Sequence, residues 1–173
     1  MRMGDGGFAP AYNVQIATDP RSRAIVGLEV TNHGTDHGED GALRAQVERR
    51  TGRKVAEHLL NGGYVKGESI EQAAEQGVAL YAPLPGTGKD GAVCTHRAQD
   101  PPGVAAWRER MTSAAGRTVY KERAATSETV NADLKTFRGL RAFAVRGLRK
   151  VRCVALWSAL AYNVMHFADV LTA

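Results

Sequence analysis

The residues between Tyr120 and Lys135 are the part of this chain best suited to chemistry. On a helix, Glu128 and Lys135 stand two turns apart on one face, with Asn131 between them. Arg123 lies slightly off that face and Tyr120 one turn before it. A carboxylate set among two cations and a phenol suits one task, holding a metal ion while its neighbours grip phosphates. The same spacing suits a solvated amphipathic helix with a charge ladder, and on spacing alone that plainer reading is the stronger. The residues that follow change the balance. From Lys135 to Arg152 the chain carries seven basic residues and no acid: Lys135, Arg138, Arg141, Arg146, Arg149, Lys150 and Arg152. A one-signed block beside a single carboxylate is an electrostatic footprint for a phosphate backbone. A merely solvated basic face fits the composition equally well.

A second candidate is Asn61. It ends a short apolar strand and is followed by Gly62, Gly63 and Tyr64. Strand ends are where α/β folds commonly present ligand-binding groups, and an aspartate would fit there. Asn-Gly is also a favoured tight-turn pair, which is the simpler explanation. Asp36 precedes an expected helix and reads first as its N-cap. His33 and His37, with Glu39 and Asp40 nearby, superficially resemble a metal cluster, but the segment is glycine-rich and loop-like. Trp107 and Trp157 read as packing residues, and Cys153 as a small buried apolar side chain.

Several elements must position these groups. Residues 11–18 alternate, with Tyr12, Val14 and Ile16 on one face, and residues 24–30 form a second apolar run. Asp19-Pro20-Arg21-Ser22 is a turn signal, so the two runs predict a β-hairpin. Leu43 and Val47 lie at helical spacing in a helix ending near Gly52. Residues 57–60 predict a short strand, 69–76 a short helix stopped by Gly77, and 78–82 a fourth strand. Pro83 to Gly103, rich in proline and glycine, reads as a loop or insertion. Helical pattern resumes near Val104 and runs, with a break near Gly116, to Phe137. A last helix is expected over 147–171. Residues 153–168 contain no Asp, Glu, Lys or Arg. That run is too short for the ~20 residues of a membrane span and reads as a buried helix. The order of elements predicts an α/β layer with a mixed sheet, divided as a core over 1–82, an insertion over 83–103 and C-terminal helices over 104–173.

With 173 residues and 43% apolar content, the chain can bury a core in one compact domain. The formal charge of +5 permits a polyanionic partner without proving one. Two distant cysteines, Cys94 and Cys153, form no CxxC pair, which disfavours a zinc knuckle or a disulfide framework and fits a reducing cytoplasm. The first residues have no apolar stretch of the signal-peptide kind.

In order along the chain, these motifs resemble the DDE transposases of bacterial insertion sequences, within the RNase H-like superfamily. Gly6-Gly7-Phe8-Ala9-Pro10-Ala11-Tyr12-Asn13-Val14-Gln15 is similar to the family's early strand. Ala24 through Asn32, with Asp36, is similar to its next strand and loop. Leu59-Leu60-Asn61-Gly62-Gly63-Tyr64 stands where the family carries an Asp-x-Gly-Tyr/Phe motif. Tyr120, Arg123, Glu128 and Lys135 resemble its Tyr-Arg-Glu-Lys signature, and Phe143 through Val151 with Ala161-Tyr162-Asn163 resembles its C-terminal helix. The resemblance implies an incomplete RNase H-like mixed sheet flanked by helices, with a loop-rich insertion before the Glu-bearing helix. It makes Glu128 the third acidic residue and a metal ligand, and places Asn61 where the second catalytic Asp belongs. The first catalytic Asp is expected just upstream of Met3 and is absent. Four residues separate Arg123 from Glu128 where the family has three.

The implied chemistry is DNA cleavage and strand transfer at transposon ends. Two divalent metals (Mg²⁺ or Mn²⁺), about 3.5–4 Å apart, drive an in-line displacement. Three carboxylates offset the two dications, and here one is missing and one is a neutral amide. The expectation is a truncated, catalytically impaired copy with weak or absent metal binding. DNA affinity is retained through Tyr120, Arg123, Lys135, Arg138, Arg146, Arg149 and Lys150. The implied setting is a bacterial cytoplasm at the nucleoid, with no membrane and with another copy or an intact transposase as candidate partner. From a different functional class, a non-catalytic DNA-binding or dominant-interfering fragment fits the same residues, and a functionless pseudogene product is a third reading. The expectation that Glu128 stands beside the end of the Leu59–Leu60 strand ties the two candidate sites together.

Overall fold

A computed structural model describes residues 7, 11–85 and 99–172. The architecture is mixed α/β, predominantly helical with small sheets. The chain divides into two compact units, one of Met1–Thr35 with Ala125–Ala173 and the other of Asp36–Ala124. The first residues of the early-strand motif, Cys94 and most of the expected 83–103 insertion lie outside the described residues.

In the first unit, β1 (Asn13–Thr18) and β2 (Ile25–Thr31) form the expected antiparallel hairpin. Asp19 fastens its turn by accepting hydrogen bonds from the backbone N–H and hydroxyl of Ser22. Val14 lies opposite Val30 and Ile16 opposite Leu28, so these four share one face. That face packs against the buried Val151, Ala155, Ala159 and Tyr162 of α6 (Leu148–His166), together with Val130 and Leu134 of α5 (Thr129–Phe137). Asn163 grips the strand directly. Its Oδ1 accepts from the Ile25 backbone N–H and its Nδ2 donates to the Ile25 carbonyl, both at 2.9 Å. The Tyr12 hydroxyl accepts from the Gly147 N–H at 2.7 Å, while its ring meets Phe143 edge-on.

The expected last helix is two helices. α6 ends at His166 and α7 covers Ala168–Leu171, with Phe167 at the break. Its uncharged run is buried on one face only. Trp157 and Cys153 are exposed, not packed inside as their residue types suggested. A helix against a two-stranded hairpin can hide one stripe, and the buried positions 151, 155, 158, 159 and 162 use it up.

In the second unit, α1 (Asp40–Thr51) ends at Gly52, whose positive φ of 66° closes the helix with an N–H to the Glu48 carbonyl. β3 (Glu57–Leu59) and β4 (Ala79–Tyr81) pair in parallel, joined by α2 (Gly67–Glu75). The described strands therefore form two two-stranded sheets and not one mixed sheet. α3 (Pro102–Thr112) and α4 (Ala114–Arg123) complete the unit. Glu71 of α2 accepts from the Val104 N–H at 2.8 Å and so satisfies an orphan donor of the first turn of α3. The core gathers Leu60, Ile70, Ala73, Leu80, Trp107 and Met111, and the Trp107 indole donates to the Ala82 carbonyl.

The break expected near Gly116 falls at Ser113, which caps α4 by accepting from the Gly116 N–H. Gly116 lies inside α4 because its Cα approaches the Arg110 carbonyl so closely that no Cβ fits there.

Candidate nucleic-acid interface

Between α4 and α5 the helical path is irregular. Ala124–Glu128 form a π-turn, with Glu128 as its last residue. A π-turn holds more residues than an α-turn and typically marks a one-residue insertion in a helix. The four residues between Arg123 and Glu128 lie inside this turn.

Glu128 is exposed, as are Lys135, Arg141, Arg146, Arg149 and Lys150. In the first unit, then, a carboxylate and most of the basic run reach solvent. Two basic residues are committed within the fold. Arg138 is half-buried, makes a 2.7 Å ion pair with Asp133 and lies over the Tyr162 ring. Arg152 pairs with Glu29 at 3.1 Å.

The Asn61 turn belongs to the second unit. Asn61 has extended backbone angles and starts a single 3-10 turn, Gly62–Tyr64. Its Oδ1 accepts from the Gly63 N–H at 2.9 Å, so the amide first of all holds its own turn. A Cβ on Gly63 would stand 3.1 Å from that Oδ1 and 3.2 Å from the Asp36 Oδ2. Both oxygens thus converge on one glycine. Asp36 is not the helix cap its position suggested. The N-cap residue of α1 is Glu39, which makes no side-chain cap bond. The Asp36 backbone carbonyl accepts from the Glu39 N–H, while its carboxylate lies against the Gly62-Gly63 turn.

Tyr64 reports the electrostatics of this corner. Burial, followed by the nearby carboxylates of Asp36, Asp40 and Glu39, pushes its hydroxyl well above the ordinary phenol range, and Arg123 opposes them. Arg123 and the Asn61 turn therefore share one neighbourhood. Beneath it, the buried Asp40 pairs with Arg44 at 3.6 Å, and Arg44 donates to Gln76 at 2.8 Å. Burial raises the Asp40 carboxyl above its usual range and Arg44 opposes the rise. His58 is half-buried as a residue, but its Nδ1 is enclosed with no hydrogen-bond partner. Burial, helped by Arg44, lowers its pKa to about 4, so it is neutral at pH 7.

Asn61, Tyr120 and Arg123 fall in the second unit; Glu128, Lys135, Arg138, Arg146, Arg149 and Lys150 fall in the first. Asp36, read from the sequence first as a helix cap, and Tyr64 of the Asn-Gly-Gly-Tyr motif complete the Asn61 corner. The run of acids at positions 36, 39 and 40 was the available signal.

The family whose description reads transposase DDE domain matches residues 89–168. The match supports a transposase of the DDE type. The span matched to the DDE domain contains Tyr120, Arg123, the π-turn with Glu128, the whole basic run and all of α6; Asn61 lies before it. Neither curated proteins nor solved structures yield a match to this chain.

DDE transposases generally use divalent metals, and the donors here fit such a centre poorly. Among the described residues, no three His, Cys, Asp or Glu side chains converge as a metal ligand set. The Asn61 oxygen already accepts from Gly63 and carries no charge to offset a dication. No helix among the described residues is long and apolar enough to cross a membrane.

Proposed function

We propose that this chain is a transposition protein of the RNase H-like DDE lineage that binds DNA and is impaired in cleavage. The observation that carries the reading is the exposed basic group Lys135, Arg141, Arg146, Arg149 and Lys150, inside the span matched to the transposase DDE domain and following the exposed Glu128. These side chains act on the sugar-phosphate backbone of transposon ends, whereas Arg138 is held by Asp133; Tyr120 and Arg123 are candidates for the same role within the second unit. Glu128 is an acidic residue of the catalytic set. Asn61 occupies the position of a second Asp, and its amide offers an oxygen without a charge. Mg²⁺ or Mn²⁺ is accordingly held weakly, and the site of action is the bacterial cytoplasm at the nucleoid. No catalytic step is assigned to a metal here, because the donor set does not supply one.

Two measurements test the proposal. In filter binding across a salt series, the affinity for duplex DNA falls steeply with salt, by about 0.9 in log–log slope for each phosphate neutralised. Affinity indifferent to salt overturns the assignment of the basic run. In a nicking assay on supercoiled DNA with Mg²⁺ or Mn²⁺, the protein gives no more product than Glu128→Ala. Nicking that disappears in Glu128→Ala shows instead a working enzyme. The non-catalytic alternative, a fragment that interferes with an intact transposase, is favoured by the Asn61 turn. Mixing the chain with an active transposase then lowers the latter's yield.

A further inference from the structure

From Cys153 onward the outward face of α6 is apolar, and it continues into α7. Trp157 is 66% exposed, Leu160 50%, Val164 46% and Leu171 66%. With Cys153 and Phe167 these positions follow one another at intervals of four and three: 153, 157, 160, 164, 167 and 171. That is the spacing of a helix seam that packs against another helix. The opposite face, through Val151, Ala155 and Tyr162, already seals the unit's own core. The helix thus carries two apolar faces and its own hairpin covers one. Monomeric proteins rarely leave an apolar patch of this extent in water.

We infer that this seam is the interface with a second copy of the chain, paired antiparallel through α6. Two observations choose that occupant. The seam is uncharged between positions 153 and 168, so identical faces can meet without burying an ion. Arg149 and Lys150 are exposed at the start of α6, whereas the exposed Asp169 and the last carbonyls of α6 lie at its other end. Antiparallel copies set basic starts against the acidic, carbonyl-rich ends, and parallel copies crowd four cations together. With the dyad near Leu160, Trp157 packs against Val164 of the partner subunit and Cys153 lies beside Ala168 of the partner subunit. The inference does not depend on the DNA-binding reading.

The test uses the full chain carrying Cys94→Ser, so that Cys153 is the sole thiol. Sedimentation across a concentration series gives a dimer, and Leu160→Asp or Trp157→Glu weakens it by about 30-fold or more. The thermal transition of either variant, measured below its dissociation range, stays within a few degrees of that of the dissociated parent, which separates lost pairing from lost folding. Adding Ala168→Cys lets mild oxidation form an intermolecular disulfide between Cys153 of one copy and the introduced thiol of the other. Within one copy those positions lie about 22 Å apart along the helix and cannot bridge. A chain that stays monomeric at every concentration overturns the inference. So does a Cys153–Cys153 bond formed readily without Ala168→Cys, because it reports parallel pairing. Loss of DNA binding with dimerisation intact counts against the proposed function alone.

Discussion

Residues 36–124 build three guanidinium groups into their packing, whereas residues 125–173 leave most of their cations on the surface. In the second unit Arg44 spans Asp40 and Gln76, Arg108 holds Asp100 at 2.7 Å, and Arg110 donates to the Leu80 carbonyl while lying over the Tyr81 ring. Each of these three guanidiniums is part of the packing. In the C-terminal segment Glu128, Lys135, Arg141, Arg146, Arg149 and Lys150 face solvent, whereas Arg138 and Arg152 are tied to acids of the fold. A cation that satisfies a buried partner cannot be withdrawn without leaving that partner exposed to a low dielectric. A cation on the surface costs the fold almost nothing to change, and so remains available to an external polyanion. The same residue type can thus be tied into the packing in one region and left on the surface in another.

The contrast can be broken most forcefully at its apolar base. Trp107→Ala removes from the second unit its largest core side chain, which is 2% exposed. It should cost about 3–5 kcal/mol in chemical denaturation. A loss under 1 kcal/mol means that the core does not rest on Trp107.

Next in size is the enclosed His58. Its folded pKa is about 4 against 6.5 when unfolded. Between those values the unfolded chain takes up a proton that the folded chain refuses. Stability contributed by the neutral imidazole is therefore present above pH 6.5, falls as the pH is lowered, and is gone below about 4. Linkage puts the change at about 3 kcal/mol. Denaturation at several pH values should show this slope in the parent protein and not in His58→Gln; parallel curves refute the burial of that ring.

Gly116→Ala comes third. Its Cβ would collide with the Arg110 backbone carbonyl, which cannot swing aside. About 2 kcal/mol is the expected loss, read as a lowered melting temperature, and an unchanged transition shows that the two helices part easily.

The smallest effect on the fold sharpens the comparison best. Lys135→Gln and Arg146→Gln should each change stability by less than about 0.5 kcal/mol. Each should also reduce the salt slope of DNA binding by about 0.9. A large loss of stability from either moves that side chain from the binding face to the fold.

Much of this was legible in the sequence because it is local. The alternation of Val14 and Ile16 with Val30 and Leu28 specified the hairpin, Gly52 and Gly77 marked helix ends, and Asn61-Gly62 announced a turn. The basic run from Lys135 to Arg152 needed only counting. Trp157 and Cys153 misled because residue type says that a side chain tends to be buried, not which stripe of a helix finds a partner.

What the sequence by itself determined, then, were elements and charges set by neighbours three or four positions apart, where backbone geometry leaves few choices. Only the tertiary structure decided that Asp36 leaves its helix to stand against Gly63 and that Asn163 clasps Ile25. It alone paired Arg138 with Asp133 across Tyr162, and it left one face of α6 bare. Those outcomes depend on which distant surfaces meet, and that follows from volume and shape summed over a whole core.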